Sequence, residues 1–333
     1  MPELRKDPVT DRWVIVSTDR RPRATDFERE SVVVTPDPTC PFCEGHEQQT
    51  PHELLAVRHA GGGYNGPGWS VRVVPNQVPV LRVEGALDRQ GEGLFDKMSG
   101  IGAHEVIIES PRHLDTLASM PDASIDAVLW AARERVRDLK NDRRFKSIVV
   151  FKNYGAAAGA TLAHSHTQIV ALPIVPRDVR EELEGAKAHY QVKERCIYCD
   201  ILRQETRDGS RIVAENADMV AYAPYASRVP FETWIMPRRH QSHFEDAWRH
   251  EYTTLASLIG DVLRRMNVAL EAPPYNLLVH SAPLHDPAAD HYHWHVEIIP
   301  TVTKVAGFER ATGCYVNPTP PEEAAEILRA VRQ

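Results

Sequence analysis

The order of cysteine and histidine motifs in this chain is repeated, and the repeat limits the fold more than any other feature. Each half contains Cys-x-x-Cys, then a proline followed closely by a histidine, then His-x-His-x-Gln or His-x-His-x-Glu. The two cysteine pairs lie 156 residues apart, and the two paired-histidine motifs lie 129 residues apart. Such ordered repetition indicates duplication of one structural unit. We therefore predict two related α+β units, formed by residues 1–175 and 176–333.

Apolar periodicity supplies the elements of both units. Short β-branched runs predict strands, and apolar residues at helical spacing predict amphipathic helices. The predicted strands include 69–75, 104–109 and 147–152 in the first half and 232–236, 275–280 and 291–300 in the second. The predicted helices cover 122–142, 177–193, 249–268 and 320–332. Each half thus combines strands with a long helix, which favours an α+β fold.

Composition argues against several classes of protein. The chain has 333 residues, 42% of them hydrophobic, and a net charge of −7. An acidic chain of this kind is unsuited to broad binding of nucleic acid or membrane surfaces. No apolar run approaches the roughly 18 residues of a membrane span, and the N-terminus has no apolar segment typical of a signal peptide. We therefore expect a cytoplasmic protein whose five cysteines are reduced.

The segment 153–172 has the pattern of a phosphate-binding loop followed by a strand. Glycines in its first part allow backbone N–H groups to approach a phosphate closely. Side chains alternate between the faces of a strand, so His164, His166 and Gln168 are expected to share one face. Imidazoles beside an anion-binding loop suggest phosphoryl chemistry on histidine. The alternative is a core strand with incidental histidines.

The Cys-x-x-Cys pairs point to metal or redox chemistry in a reduced compartment. Structural zinc takes four nitrogen or sulfur ligands, and each half offers two cysteines and two histidines in the same order. The predicted ligands of structural Zn2+ are Cys40, Cys43, His113 and His164 in the first half and Cys196, Cys199, His240 and His293 in the second. Nearby alternatives in the second half are His243, His291 and His295. Paired core thiols or a redox pair are further alternatives, although no thioredoxin-like pattern surrounds either motif.

The two halves differ at the position that follows the paired histidines. The first half has Gln168 behind a glycine-rich approach, whereas the second has Glu297 and no such loop. The repeat assigns His164 to the metal through its counterpart His293, which leaves His166 as the free nucleophile. We predict that the first half carries the chemistry and that the second is structural or supplies part of a neighbouring site.

The strand His-x-His-x-Gln behind Asn153-x-Gly155-x3-Gly159 resembles the transferase branch of the histidine-triad superfamily. The duplicated layout, with Cys-x-x-Cys and Ser-Pro-x-His, resembles the galactose-1-phosphate uridylyltransferase family over essentially the whole chain, including segments 20–27 and 304–307. The His-Ser-His sequence and segment 307–315 look closer to ADP-glucose phosphorylase, a nucleotide-sugar phosphorylase related to that family. The resemblance implies two histidine-triad-like repeats, each a sheet with packed helices, and a homodimer.

The resemblance also implies a two-step reaction. His166 attacks the α-phosphorus of a nucleoside diphosphate sugar, sugar 1-phosphate leaves, and a second phosphate acceptor takes the nucleotide. Gln168 would donate its amide to a phosphoryl oxygen. The implied substrate-binding residues are Arg20, Arg23, Asn76, Asn153, Gly155, Gly159, Thr161, Lys304 and Glu309. For each of these alone, a surface or turn role is the alternative.

Four functions remain as hypotheses from the sequence. The first is transfer of UMP from UDP-glucose to galactose 1-phosphate, and the main alternative is phosphorolysis of ADP-glucose. A nucleotide hydrolase of the same superfamily is opposed by Gln168, because the hydrolase branch has a third histidine there, suited to protonating poorer leaving groups. A zinc-stabilised nucleotide-binding module without activity is opposed by the intact His166 and its loop.

Overall fold

A computed structural model describes residues 1–17, 27, 31–58, 61–286 and 289–331. The elements of the first half are β1 (Glu3–Lys6), β2 (Trp13–Val16), β3 (Leu55–Arg58), β4 (Trp69–Pro75), β5 (Gln90–Glu92), β6 (Phe95–Lys97), β7 (Ala103–Ile108), α1 (Asp122–Leu139), β8 (Ser147–Tyr154) and β9 (His166–Leu172). The elements of the second half are α2 (Arg177–Lys193), α3 (Ile197–Asp208), β10 (Ile212–Glu215), β11 (Met219–Tyr222), β12 (Thr233–Pro237), α4 (Arg249–Leu270), β13 (Tyr275–His280), β14 (His295–Pro300), α5 (Gly307–Thr312), β15 (Tyr315–Asn317) and α6 (Pro321–Ala330). Among these described helices, none has the length and apolar character needed to cross a membrane.

Ten strands of the described residues form one antiparallel sheet, in the order β10-β11-β12-β14-β13-β8-β9-β7-β4-β3. The strand order from the centre to each edge is equivalent, because β8-β9-β7-β4-β3 of the first half corresponds to β13-β14-β12-β11-β10 of the second. The two halves meet where β8 pairs with β13. This repeated order confirms the predicted α+β fold with two related halves. The boundary between residues 175 and 176 stays a prediction.

Helices α1 and α4 pack against each other and against the large sheet. The buried residues of α1 recur at three- and four-residue spacing, as in Ile125, Val128 and Leu129. They share one core with Ile107 of β7 and Ile169 of β9. Full burial of an aliphatic side chain of this size contributes about 1.5–3 kcal/mol, so this layer stabilises the face of the sheet that the helices cover.

The face of the first half-sheet that points away from these helices carries His166 and Gln168. Because side chains alternate along a strand, Val106 and Ile108 of β7 point away from the helices into a smaller core that includes Cys40. In the register between β7 and β9, Val106 lies opposite Gln168 and Ile108 opposite His166. The fold therefore places the predicted nucleophile on the same face as the first Cys-x-x-Cys pair.

The structure corrects the sequence predictions at both histidine motifs. The strands begin at His166 and His295, so that His164 and His293 lie before the strands rather than within them. The ring of each leading histidine is directed at a cysteine pair, and this contact replaces the regular strand geometry. Of the three side chains that were expected to share one face of a strand, only His166 and Gln168 lie within the strand.

Helix α3 is absent from the sequence predictions. It begins directly after Cys196 and includes Cys199 in its first turn. The signal was the apolar spacing of Ile197, Tyr198 and Leu202, all of which are buried. Cys199 therefore lies near the positive end of the helix dipole, which favours the thiolate form that binds metals.

Candidate active site and metal centres

The four predicted zinc ligands of the first half lie together. The ligand atoms of Cys40, Cys43, His113 and His164 are within 4.8 Å of one another. His164 Nδ1 is 3.5 Å from Cys40 Sγ and 3.6 Å from Cys43 Sγ, and His113 Nδ1 is 3.5 Å from Cys43 Sγ. His164 Nε2 donates a hydrogen bond of 2.8 Å to the carbonyl of Ser110. That bond leaves the Nδ1 lone pair free to face the cysteines.

The four predicted ligands of the second half form an equivalent cluster. The ligand atoms of Cys196, Cys199, His240 and His293 are also within 4.8 Å of one another. Cys199 Sγ lies 3.3 Å from His240 Nδ1 and 3.6 Å from His293 Nδ1. The Cys196 thiol and the two imidazoles lower the pKa of Cys199 to about 3. Among the described residues, the alternatives His243, His291 and His295 are not part of this cluster.

Both clusters have the chemistry that zinc prefers. Each offers two sulfur and two nitrogen donors, the set found in closed tetrahedral sites. Burial lowers the pKa of His164 to about 4, so its ring is neutral near pH 7 and can act as a ligand. The predicted residues therefore fit zinc.

A third cluster of titratable side chains was missed by sequence reasoning. It contains Glu182, His280, His295 and Glu297, whose donor atoms lie within 4.8 Å of one another. Arg228 pairs with Glu297. Burial lowers the pKa of His280, but the carboxylates of Glu182 and Glu297 outweigh it and raise this pKa well above its usual value. The sequence signal was weak, because Glu182 lies on a charged helix and His280 meets His295 only through cross-strand pairing.

The predicted nucleophile is oriented by its own backbone and opens into a pocket. His166 Nδ1 donates a hydrogen bond of 2.8 Å to the carbonyl of His164. The Nε2 atom therefore carries the lone pair. His166 lines a pocket of about 150 Å³ together with Phe42, Thr161 and Gln168. Burial, and then the positive charge of Lys152, lower the pKa of His166, so the ring is neutral and nucleophilic near pH 7.

Gln168, which was predicted to assist the nucleophile, faces the same pocket. Its Oε1 lies 2.8 Å from Nε2 of His104, a residue of β7. Asn76 also lines this pocket, and its backbone N–H donates to the carbonyl of His104 at 2.8 Å. The structure therefore brings together the predicted residues His166, Gln168, Asn76 and Thr161. The involvement of His104 was not predicted, because it depends on the register between β7 and β9.

A buried polar network lies beneath His166, on the helix side of the sheet. Lys152 Nζ donates to Glu109 Oε2 at 2.9 Å, to Ser165 Oγ at 2.9 Å and to the carbonyl of His166 at 3.2 Å. Glu109 also accepts hydrogen bonds from the hydroxyls of Ser165 at 2.5 Å and Thr167 at 2.6 Å. We call these four side chains the Lys152–Glu109 network. It holds both neighbours of His166 and its carbonyl group.

The glycine-rich loop follows β8 and ends at the pocket. Gly155 and Gly159 have φ angles of 84° and 89°, a backbone conformation that glycine adopts without strain. Asn153 Nδ2 donates to the carbonyl of Gly159 at 3.3 Å, and Asn276 of the second half donates to Asn153 Oδ1 at 2.8 Å. The loop is thus braced across the junction of the two halves. Of the predicted loop residues, Thr161 lines the pocket.

Two further predicted substrate-binding residues, Lys304 and Glu309, are not among the residues that line this pocket. Lys304 is exposed. Glu309 accepts the backbone N–H of Ala306 at 3.0 Å and so caps helix α5. Arg20 and Arg23 lie outside the described residues. A sugar- or phosphate-binding role for these four side chains stays a prediction.

The fold and the pocket together indicate the class of protein. A duplicated α+β fold that presents the His166 imidazole beside a glycine-rich loop is suited to group transfer through a covalent intermediate on histidine. The family described as "Galactose-1-phosphate uridyl transferase, N-terminal domain" matches residues 71–176, and its C-terminal domain matches residues 148–331. The chain belongs to the galactose-1-phosphate uridylyltransferase family, whose enzymes transfer nucleotidyl groups. The family resemblance noted in the sequence is therefore confirmed.

Two kinds of relative are similar to the chain over its whole length. ADP-glucose phosphorylase of Arabidopsis thaliana is 37% identical, covering 99% of this chain and 93% of the relative. Galactose-1-phosphate uridylyltransferase of Thermotoga maritima is 30% identical, covering 99% of this chain and 98% of the relative. The crystal structure of the Arabidopsis ADP-glucose phosphorylase with bound ADP-glucose superposes with a TM-score of 0.85 at 36% identity, over 100% of both chains. A uridylyltransferase structure superposes with a TM-score of 0.77 at 28% identity, over 99% of this chain and 98% of that chain.

Proposed function

We propose that this protein transfers a nucleoside monophosphate from a nucleoside diphosphate hexose to a phosphate acceptor through a covalent intermediate on His166. The observation that carries the proposal is the hydrogen bond from His166 Nδ1 to the His164 carbonyl. It leaves the Nε2 lone pair free on a neutral ring that lines a pocket. A lone pair fixed in this way is prepared for in-line attack on phosphorus.

The two steps balance without an external acid or base. In the first, His166 Nε2 forms a bond to the α-phosphorus, and the bond from this phosphorus to the bridging oxygen breaks, so that hexose 1-phosphate leaves as an anion. In the second, a phosphate oxygen of the acceptor attacks the same phosphorus, and the bond to Nε2 breaks. The amide of Gln168 would donate to a phosphoryl oxygen whose charge grows in each transition state. A glutamine cannot protonate a poor leaving group, which favours transfer between phosphates over hydrolysis.

For the donor and acceptor, we propose ADP-glucose and inorganic phosphate. Identity with the Arabidopsis ADP-glucose phosphorylase is 37%, against 30% for the Thermotoga uridylyltransferase. The TM-scores of 0.85 and 0.77 have the same order. The His-Ser-His sequence and segment 307–315 also favour the phosphorylase. The second candidate is the reaction expected first from the sequence, transfer of UMP from UDP-glucose to galactose 1-phosphate, which the matches to both family domains support.

Zinc at the two Cys/His clusters would be structural. All four donors of each cluster come from the protein, so bound zinc would cross-link distant segments and supply no reacting group. In the first cluster, Cys40 and Cys43 would be tied to His164, whose carbonyl orients His166. Metal binding would in this way hold the segment that begins the catalytic strand. We also propose that Arg20, Arg23, Lys304 and Glu309 contact the substrate. The proposed assembly is a homodimer.

The proposed reaction is tested with donors labelled at the α-phosphorus. The protein is incubated separately with ADP-glucose and UDP-glucose and quenched in alkali, because a phosphorus–nitrogen bond to histidine is stable to base and labile to acid. We expect base-stable label with ADP-glucose, and inorganic phosphate should release it as labelled ADP. Label from UDP-glucose that only galactose 1-phosphate releases would support the second candidate instead. Absence of label from both donors, or label that persists in His166→Ala, would contradict transfer through His166.

A further inference from the structure

His104 lies on the pocket face of the sheet, diagonal to Gln168. In the pairing of β7 with β9, His104 is opposite Val170 and Val106 is opposite Gln168. Diagonal neighbours on one face of an antiparallel pair are within reach of long side chains. The His104 ring is buried, with 9% of the residue exposed. Both of its nitrogens contact polar groups, which fixes the position of the ring.

The contacts of the two ring nitrogens assign the proton of His104. Nδ1 accepts a hydrogen bond of 3.3 Å from the backbone N–H of Val80, and a backbone N–H can only donate. A ring whose Nδ1 accepts a hydrogen bond carries its proton on Nε2. That nitrogen lies 2.8 Å from Gln168 Oε1, so it donates to the carbonyl end of the Gln168 amide. Asn76, whose Oδ1 accepts the Val78 N–H, places its Nδ2 3.1 Å from the same nitrogen. With the proton on Nε2 both groups are donors, so this contact is not a hydrogen bond.

We propose that His104 is a positioning residue that sets which end of the Gln168 amide faces the reacting phosphate, an inference that rests on the proposed nucleotidyl transfer. The two ends of a glutamine amide have nearly the same shape, so packing alone does not distinguish them. With Oε1 held by His104, the NH2 group is left for the pocket. There it donates to a phosphoryl oxygen. A reversed amide would direct a carbonyl oxygen at that anion and would raise the energy of the transition state.

The chain offers a matched set of variants for the test. His104→Ala removes the donor. His104→Gln restores an NH2 group near the position of Nε2. Val170→Ala shortens the side chain directly opposite His104 on the same face and serves as the structural control. Each full-length variant is assayed for the single-turnover rate of His166 labelling and for the donor concentration at half-maximal rate, and its melting temperature is compared with that of the control.

We expect His104→Ala to lower the labelling rate about tenfold or more. Complete removal of one hydrogen-bond donor to a developing oxyanion lowers a rate about a hundredfold or more, and His104→Ala only frees the Gln168 amide to turn. The half-saturating donor concentration should change by less than about threefold, because the amide acts mainly in the transition state. His104→Gln should return the rate to within about threefold of the wild type, and Val170→Ala should leave it within about twofold. In a Gln168→Ala background, His104→Ala should have no further effect on the rate.

Three results would overturn the proposal while nucleotidyl transfer itself stood. The first is a wild-type labelling rate in His104→Ala. The second is an equal further loss of rate when His104→Ala is added to Gln168→Ala. The third is a His104→Gln variant that folds but labels His166 as slowly as His104→Ala does. If His104→Ala does not fold, the corresponding result is a His104→Gln labelling rate tenfold below that of the wild type. If the wild type itself forms no label with either donor, the proposed function fails and the role of His104 fails with it.

Discussion

The Lys152–Glu109 network gives the sharpest stability prediction, through the variant Lys152→Met. The ion pair is fully buried, with side-chain exposures of 1% for Lys152 and 0% for Glu109. Burial raises the pKa of Glu109, but the Lys152 ammonium and the hydroxyls of Ser165 and Thr167 outweigh it and hold the pKa below its usual value. Methionine removes the ammonium and leaves a buried carboxylate with two hydroxyl donors.

The loss in the free energy of unfolding depends on whether Glu109 stays ionised in the variant. Breaking a buried pair by removing one partner costs about 3–5 kcal/mol. Glu109 can limit this cost by binding a proton. At pH 7, protonating a carboxyl group whose ordinary pKa is about 4.3 costs about 3.7 kcal/mol, since each pH unit is worth about 1.4 kcal/mol. We therefore expect Lys152→Met to lower the free energy of unfolding by about 3–4 kcal/mol at pH 7.

The stability lost in Lys152→Met depends on pH through the ionisation of Glu109. In the wild type, the depressed pKa of Glu109 contributes stability that is present above its unfolded-state pKa and is lost only as pH falls through the folded-state value. In Lys152→Met, the pKa of Glu109 is raised, so the folded state gains stability relative to the unfolded state as pH falls. The difference between the two proteins should therefore shrink to about 1.5–2 kcal/mol at pH 5.5.

The assay is equilibrium urea unfolding followed by tryptophan fluorescence, at pH 7 and pH 5.5. The control is Arg177→Met, because the Arg177–Glu181 pair is exposed, at 84% and 37%, and should contribute less than about 1 kcal/mol. The double variant Lys152→Met/Glu109→Gln has no buried charge and should recover most of the loss. A loss below 1 kcal/mol in Lys152→Met, or a difference that grows at pH 5.5, would refute the reasoning.

The remaining predictions concern the nucleophile, the metals and the loop. Because burial and Lys152 lower the pKa of His166, the single-turnover labelling rate should be flat above the ordinary imidazole pKa of about 6.5 and fall only at lower pH; a midpoint above pH 7 would contradict this. Zinc released on denaturation should be about two ions per chain, about one in Cys43→Ser, and unchanged in the control Cys314→Ser, whereas a metal-free wild type would exclude both sites. Gly155→Ala should destabilise the protein by more than about 1 kcal/mol, because the new Cβ would lie 2.5 Å from a side-chain atom at a φ of 84°; a wild-type unfolding midpoint would show that the loop adapts.

Local periodicity was sufficient to predict the main elements of the fold. The strand 275–280 and the helix 177–193 have the same bounds in the structure. The strand is a short apolar run, and the helix begins directly after Pro176. The repeat was sufficient to group the eight Cys and His residues, because the two halves contain them in the same order. It also separated His164 from His166, although the strand begins one residue pair later than expected.

What the sequence did not reveal depends on pairing between distant strands. His104 reaches Gln168, and Lys152 reaches Glu109, only through the registers of β7, β8 and β9. A single sequence carries no signal for such registers beyond the alternation of each strand. Glu182 was hidden for a related reason, because a charged helix gives no sign that one of its carboxylates is buried against another element.

The proposed reaction requires a nucleotide carried by Nε2 of His166. The direct measurement is peptide mapping by tandem mass spectrometry of protein mixed with ADP-glucose, and separately with UDP-glucose, and quenched in alkali within one turnover. We expect a nucleotidyl group on the peptide that contains His166, with fragment ions placing it on that residue and not on His164. A modified peptide elsewhere in the chain, or an unmodified protein that still converts its donor, would contradict it.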